Sequence, residues 1–157
     1  MGTFDKHLLA DTIARTEFVI DDGPYVLASL PLDEYAKAAR LIAEASDPYM
    51  QIIRDSSEVS VIVTQATWEA VFVPAFGERP MLAPLSEVFC KVDETCTGYL
   101  LTILDRLSPN NVGVYVQGAY VTDHIFIHSE DTEKAKQLLA DLQADMRDAL
   151  AHTPENA

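Results

Sequence analysis

Hydrophobic residues recur along the chain with two spacings, which predict helices and strands in alternation. Apolar positions three or four residues apart form one face of a helix, as Leu8, Leu9 and Ile13 do in the first patterned segment. This spacing predicts helices over 5–14, after Asp33, over 97–107 and after Ser129. Runs rich in β-branched and aromatic residues predict strands over 17–21, 25–30, 49–54, 58–64, 69–73, 87–92, 112–117 and 124–128.

Glycine and proline residues mark the boundaries between these elements. Asp22-Gly23-Pro24 predicts a hairpin turn between the first two strands, because Gly accepts a positive φ and Pro fixes its own φ. Pro and Gly also interrupt both spacings after residue 73, at Pro74, Gly77, Pro80 and Pro84. We therefore interpret 74–86 as a linker between two halves of the chain.

The order strand–helix–strand–strand occurs twice, from Tyr25 to Thr64 and from Glu87 to His128. Equivalent positions are about 62 to 65 residues apart, which indicates an internal duplication. Each copy is half to two-thirds of a ferredoxin-like βαββαβ module. We predict an α+β fold of two ferredoxin-like subdomains packed side by side, with antiparallel sheets and helices on one face. The predicted organisation is a helical extension over 1–15, a first half over 16–73, the linker over 74–86, a second half over 87–150 and a disordered tail over 151–157.

Charge and composition narrow the possible partners. The 157 residues include 11 Lys and Arg against 25 Asp and Glu, a net charge of −14. Such a surface repels phosphate backbones and anionic lipids, so we expect no nucleic-acid or membrane partner. No apolar run approaches the roughly 18 residues of a spanning helix, and the first residues lack the pattern of a secretory signal. We therefore expect a cytoplasmic protein.

Motifs for catalysis, metal binding and cofactor binding are absent from the sequence. His124 and His128 share one face of a strand, but they are roughly 13 Å apart, too far for one metal ion. Cys90 and Cys96 are too few for a disulfide framework, and no His or Asn stands at a recognisable spacing for a base. No nucleotide-binding, zinc-protease or nucleophile-elbow motif occurs. We expect no metal, no cofactor and no enzymatic activity.

One segment indicates a ligand site. The strand over 87–92 is followed by Asp93-Glu94-Thr95-Cys96-Thr97-Gly98 and then directly by a helix. Free backbone N–H groups at a helix start attract carboxylates, and a Gly allows close approach of a ligand. An equally open alternative is an ordinary helix start whose Gly packs against a neighbouring strand.

Several stretches resemble the small proteins built from two ACT domains. Thr97-Gly98-Tyr99-Leu100 resembles the T-G-[IV]-L helix start of that family, and 112–118 with 120–127 resembles its strand pair I-S-T-Y-D-T-D-[YF]-[IV]-L-V. In the first half, 53–62 resembles its T-R-T-x-x-E-[LI]-S motif. The resemblance covers roughly residues 17 to 142. Departures from the family pattern are Gln117-Gly118-Ala119 in place of I-S-T and Val121 in place of the first Asp.

The resemblance implies ACT-type subdomains and a non-catalytic, regulatory role in binding a small ligand, which we expect to be an amino acid. The ligand-binding residues that follow from the helix start and from the matching positions are Thr95, Thr97, Gly98, Tyr120, Thr122 and Asp123. In this hypothesis the helix N–H groups bind the ligand carboxylate, and Asp123 binds its ammonium.

Two other interpretations remain open besides the amino-acid sensor. The protein could be an interaction or dimerisation module that binds no ligand, and an enzyme is the third possibility. The strands over 49–54 and 112–117 carry few of the charges or prolines that protect sheet edges. We therefore predict a two-fold homodimer.

Overall fold

A computed structural model describes residues 4–92, 96–119 and 122–152, without the side chain of Asp22. Alternating helices and strands confirm the α+β class. In chain order the elements are α1 (Lys6–Arg15), β1 (Glu17–Leu30), α2 (Tyr35–Glu44), β2 (Gln51–Arg54), β3 (Val59–Thr64), α3 (Gln65–Thr67), α4 (Val73–Phe76), β4 (Met81–Lys91), α5 (Tyr99–Leu107), β5 (Val114–Gly118), β6 (Asp123–His128) and α6 (Thr132–Ala151). A π-helical turn, Trp68–Phe72, joins α3 to α4.

The contacts within the chain divide it into two compact units. The middle unit is Asp22–Ser86, and the terminal unit combines the described residues up to Asp21 with those from Glu87 onward. That residues 16–73 and 87–150 each form a domain stays a prediction. By contacts, however, α1 and the first residues of β1 belong with the second stretch of the chain.

The middle unit places β3 between β2 and β1. Both pairs are antiparallel, with Val63 opposite Val26 and Val61 opposite Ile52. The alternating valines of β3 lie on one face of the sheet, and they pack against apolar residues of α2 and of the segment from α3 to α4. This core consists of Val26, Ala28, Leu30, Ala38, Val59, Val61, Val63, Trp68, Phe72 and Phe76.

The terminal unit places β6 between β4 and β5, and β5 pairs with β6 antiparallel. The predicted apolar face of α6 packs here together with α1 and α5. The first helix is therefore an integral part of this core, to which it contributes Leu9 and Ile13. The rest of the core consists of Val88, Cys90, Tyr99, Ile103, Leu107, Val112, Ile125, Ile127, Ala135, Leu139 and Leu142.

Two of the predicted elements are wrong. The expected hairpin at Asp22-Gly23-Pro24 is not a turn, because β1 runs without interruption from Glu17 to Leu30. The residues with turn propensity instead mark the point where β1 passes from the terminal to the middle unit. Pairing with β3 begins at Tyr25, directly after these residues, and holds the following part of β1 extended.

The expected strand over 69–73 is helical. The Thr64 side chain accepts a hydrogen bond from the Thr67 N–H at 3.2 Å, which caps α3. Trp68, Phe72 and Phe76 then follow at helical spacing, and their rings pack with centroids 5.5 and 5.8 Å apart. The predicted linker over 74–86 contains the rest of α4 and the first six residues of β4.

Within residues 4–92, 96–119 and 122–152, no helix combines the length and the apolar character that crossing a membrane requires.

Candidate functional site

The start of α5 is in contact with the N-terminal segment. Gly98 is the residue before α5 and has a φ of 91°, a conformation that Gly adopts readily. A Cβ at this position would lie 3.0 Å from Cε2 of Phe4 and 3.5 Å from Cδ2 of Leu9. The Phe4 ring and Leu9 therefore lie against Gly98, where the sequence analysis expected a ligand to approach.

Thr12 of α1 and Thr16, the residue directly after α1, make polar contacts with residues at the start of α5. The hydroxyls of Thr16 and Tyr99 are 3.1 Å apart, and Cys96 Sγ lies 3.8 Å from the hydroxyl of Thr12. Tyr99 is buried, and burial together with the neighbouring Cys90 raises its pKa. The phenol therefore stays protonated at neutral pH and acts as a hydrogen-bond donor or acceptor.

Asp123 lies close enough to Cys90 of β4 and Tyr99 of α5 to affect the pKa of both buried groups. Burial, with a smaller contribution from the negative charge of Asp123, raises the pKa of the Cys90 thiol to about 11, against a hydrogen bond from Tyr99 that lowers it. The same charge raises the pKa of Tyr99. Asp123 and the first residue of α5 are therefore close enough to interact electrostatically, but that their segments form one ligand site stays a prediction.

Thr122, His124 and Glu87 form a chain of polar contacts that the sequence analysis did not find. Thr122 Oγ1 lies 3.2 Å from Nε2 of His124, and His124 Nδ1 lies 2.5 Å from Oε1 of Glu87. Both side chains of the imidazole–carboxylate pair are largely buried. The order hydroxyl, imidazole, carboxylate is also the order of nucleophile, base and orienting acid in some enzymes. Glu87 and His124 lie on the neighbouring strands β4 and β6, and nothing in their sequence spacing indicates that adjacency.

A cavity of about 550 Å³ opens beside this group at the end of β4. Charges of both signs border it, since Arg15, Glu17 and Lys91 contribute to its walls. Thr122 is the predicted ligand-binding residue that lines it. Apolar contact surface comes from Phe89, Cys90 and Val92.

The remaining predicted site residues have different outcomes. Thr97 is exposed in the turn before α5, and Asp123 begins β6 opposite Gly118 of β5. Thr95 and Tyr120 lie outside the described residues.

His128, the second histidine of β6, lies 3.3 Å from the hydroxyl of Tyr115. In the part of the chain that the structure describes, no three His, Cys, Asp or Glu side chains are grouped as a metal site.

No protein family and no curated protein matches the chain in sequence comparisons. Solved structures do match its fold. A protein from Agobacterium tumefaciens has a TM-score of 0.64 at 23% identity, over 82% of this chain and 90% of that one. A protein of unknown function from Vibrio cholerae, described as a possible transport protein, has a TM-score of 0.63 at 15% identity, over 88% of this chain and 97% of that one.

Regulatory domains of aspartate kinase are also similar in structure. The putative C-terminal regulatory domain from Porphyromonas gingivalis has a TM-score of 0.62 at 14% identity, over 83% of this chain and 98% of that one. The regulatory subunit from Thermus thermophilus has a TM-score of 0.60 at 13% identity, over 80% of this chain and 95% of that one. At these identities the likeness shows the fold alone. The fold is ACT-like, as the sequence resemblance implied.

Proposed function

We propose that this protein is a non-catalytic regulatory protein that binds an amino acid, with its two units as ACT-type subdomains. One observation carries the proposal: the cavity at the end of β4 presents positive, negative and hydroxyl groups together. A zwitterion needs partners of both signs at a short separation. The regulatory role rests on the likeness of the fold to regulatory domains of aspartate kinase.

The charged residues of this cavity match the two ends of an amino acid. Arg15 and Lys91 would bind the carboxylate, and Glu17 would bind the ammonium. Lys91 Nζ lies 3.6 Å from Oε1 of Glu17, and both side chains are more than half exposed. Exposed pairs of this kind contribute about 0–1 kcal/mol, so a ligand can replace the contact at little cost.

Thr122 and Asp123 would complete the site. Thr122 borders the cavity, and its hydroxyl is already oriented by His124. The charge of Asp123 is close to Cys90, which lines the same cavity. A carboxylate in this position supports the binding of an ammonium group. Phe89 and Val92 supply apolar surface for a ligand side chain.

A thermal-shift screen of the twenty amino acids tests the proposal. A ligand at about 100 times its Kd adds roughly 2.7 kcal/mol to the free energy of unfolding, which corresponds to a rise of several degrees in Tm. We expect one amino acid or a small chemically related group to produce this rise. The absence of any shift at millimolar concentration would contradict the proposal.

Variants then locate the binding site. We expect Asp123→Ala to weaken binding of the amino acid found in the screen by about 1.5–3 kcal/mol, the usual range for a hydrogen bond to a charged group. Lys91→Gln should weaken it as well. Lys134→Gln is the matched control, because Lys134 is an exposed lysine of α6 that does not line the cavity. Equal affinity in all variants would place the ligand elsewhere.

The non-catalytic part of the proposal has its own test. The contacts of Thr122, His124 and Glu87 are those that an esterase or acyl-transfer site would use. We expect no hydrolysis of activated esters above the background rate. Hydrolysis that disappears in His124→Ala would show that the protein is an enzyme.

A module that interacts with other chains without binding a ligand is the second candidate. Its supporting observation is the pair of edge strands, β2 in the middle unit and β5 in the terminal unit. Ile53 of β2 is exposed although it is a large apolar residue. A dimer that shows no thermal shift with any amino acid would favour this function over the sensor.

A further inference from the structure

Basic residues outnumber acidic ones in the lining of a second cavity of the terminal unit, whereas acidic residues outnumber basic ones in the whole chain. It measures about 470 Å³ and lies where α1 ends, β1 begins and α6 passes beside them. Arg15, Lys136 and Arg147 line it, against Glu17 as the acidic residue of the lining. The whole chain has 11 basic and 25 acidic residues. Positive charge gathered at one cavity raises the local concentration of anions there.

The geometry of α6 explains why these residues meet at one cavity. Lys136, Ala140, Gln143 and Arg147 are spaced by four, three and four residues, and therefore lie on one face of the helix. Gln143 Nε2 donates hydrogen bonds to the carbonyl of Thr16 at 2.6 Å and to that of Ile13 at 3.4 Å.

The end of α1 would otherwise oppose an anion, because a helix C-terminus carries partial negative charge. The hydrogen bonds from Gln143 occupy two of its carbonyls, and Arg147 donates to the carbonyl of Ala14 at 3.3 Å. These hydrogen bonds offset part of the negative charge at the end of α1. Arg15 and Lys136 also form ion pairs with Asp11 and Glu133, both exposed and therefore weak.

The floor of this cavity is apolar. Phe18 and Ile20 of β1 and Leu139 and Ala140 of α6 contribute to it. A ligand that fits the apolar floor has a carbon skeleton without polar groups. To match the basic side chains around that floor, the ligand also carries an acidic group at each end. An α-ammonium group is disfavoured here, because three cationic side chains line the cavity.

We propose that this α1–α6 cavity binds a small dicarboxylate that has an apolar carbon skeleton and no ammonium group. The site is separate from the proposed amino-acid site, although Arg15 and Glu17 border both cavities. Lys136 and Arg147 belong to the α1–α6 cavity, and Lys91 belongs to the other. Variants of Lys136 and Arg147 therefore report on the α1–α6 cavity.

Calorimetric titration with glutarate and with phthalate at constant ionic strength tests the proposal. We expect at least one of them to bind, its neutral dimethyl ester to bind far more weakly, and added salt to reduce its affinity. Lys136→Gln combined with Arg147→Gln should reduce that affinity by about tenfold or more, which corresponds to ~1.4 kcal/mol. Lys134→Gln, on another face of α6, should leave it unchanged.

Three outcomes would overturn the proposal: no binding of either dicarboxylate at millimolar concentration, equal binding of the ester, or unchanged affinity in the double variant. Loss of affinity in Lys91→Gln but not in the double variant would assign the dicarboxylate to the cavity at the end of β4. Because Lys136 is exposed, Lys136→Gln alone provides a variant that is expected to fold normally.

Discussion

Gly98 joins the turn after β4 to α5 with a φ of 91°. For a residue with a side chain, this left-handed backbone conformation costs about 1–2 kcal/mol. The Cβ of such a residue would also lie 3.0 Å from the Phe4 ring. We expect Gly98→Ala to lower the free energy of unfolding by about 1–3 kcal/mol. Urea denaturation measures this change.

Phe4→Ala separates the two causes of that loss. Phe4 is 55% exposed, so its removal alone should cost little. In the double variant the backbone strain remains but the ring no longer meets the new methyl group, so the double variant should lose less than the sum of the single losses. A loss equal to that sum would show that the Phe4 ring does not oppose the new methyl group.

The buried contact between Glu87 and His124 is the second prediction at the scale of residues. Removing one partner of a buried charged hydrogen bond costs about 1.5–3 kcal/mol, and we expect Glu87→Ala to lose at least this much. Glu133→Ala is the control, because Glu133 forms an ion pair with Lys136 while its side chain is 86% exposed. Its loss should stay within about 0.5 kcal/mol. Similar losses in both variants, measured by urea denaturation, would contradict a structural role for the buried pair.

At the scale of elements, α1 is part of the terminal core rather than an accessory. Ile13 is fully buried among α5, α6 and the strands, while Leu8 of the same helix is 48% exposed. We expect Ile13→Ala to lower the free energy of unfolding by about 2–5 kcal/mol and Leu8→Ala to change it by less than about 0.5 kcal/mol. Chemical denaturation of the two variants checks this difference. If α1 were an independent extension, both variants would unfold like the parent.

The two wrong elements show where local sequence pattern loses to packing. Glu69–Val73 contains β-branched and aromatic residues, which predict a strand, but Trp68 and Phe72 are four residues apart and both are buried on one helical face. That spacing was readable in the sequence and competed with strand propensity. The continuity of β1 through Gly23 was not readable, because it depends on long-range strand pairing, which with β3 begins at Tyr25.

For the whole molecule, the raised pKa values of Cys90 and Tyr99 predict lower stability in alkali. The folded state keeps both groups protonated, and the pKa of Cys90 rises from 9.0 to about 11. Above pH 9 the unfolded chain therefore binds fewer protons, and the free energy of unfolding falls by about 2–3 kcal/mol between pH 9 and pH 11 from Cys90 alone.

Urea denaturation from pH 7 to pH 11 measures this profile. We expect a constant free energy of unfolding up to about pH 9 and a decline above it. In Cys90→Ala the decline should begin about one pH unit later, at the ionisation of unfolded Tyr99, near pH 10. An unchanged onset in that variant would show that the thiol does not cause the decline.

The association of two chains is the other prediction at this scale. We expect light scattering to give twice the monomer mass of 17.3 kDa. Ile53→Lys, on the exposed edge strand β2, should shift the mass towards the monomer. Leu101→Lys is the control, because Leu101 is an equally apolar residue on α5 that is 67% exposed. A monomer mass for the parent across micromolar concentrations would contradict the homodimer.

The sequence alone predicted the features that depend on neighbouring residues. The apolar faces of α1, α5 and α6, the repeated order strand–helix–strand–strand and the α+β class all follow from periodicity within a short window. The ACT-like fold followed from short motifs at Thr97-Gly98 and in the strands after them. The sequence also assigned Asp123 and the start of α5 to one ligand site, which stays a prediction.

The tertiary structure alone decided which distant residues meet. Glu87 and His124 are 37 positions apart and come together because β4 and β6 are neighbours in the sheet. Phe4 lies against Gly98 because α1 packs on α5 and α6. Periodicity assigns each residue to a face but does not specify the element that covers that face, because the pairing of strands and the docking of helices minimise the free energy of the whole chain.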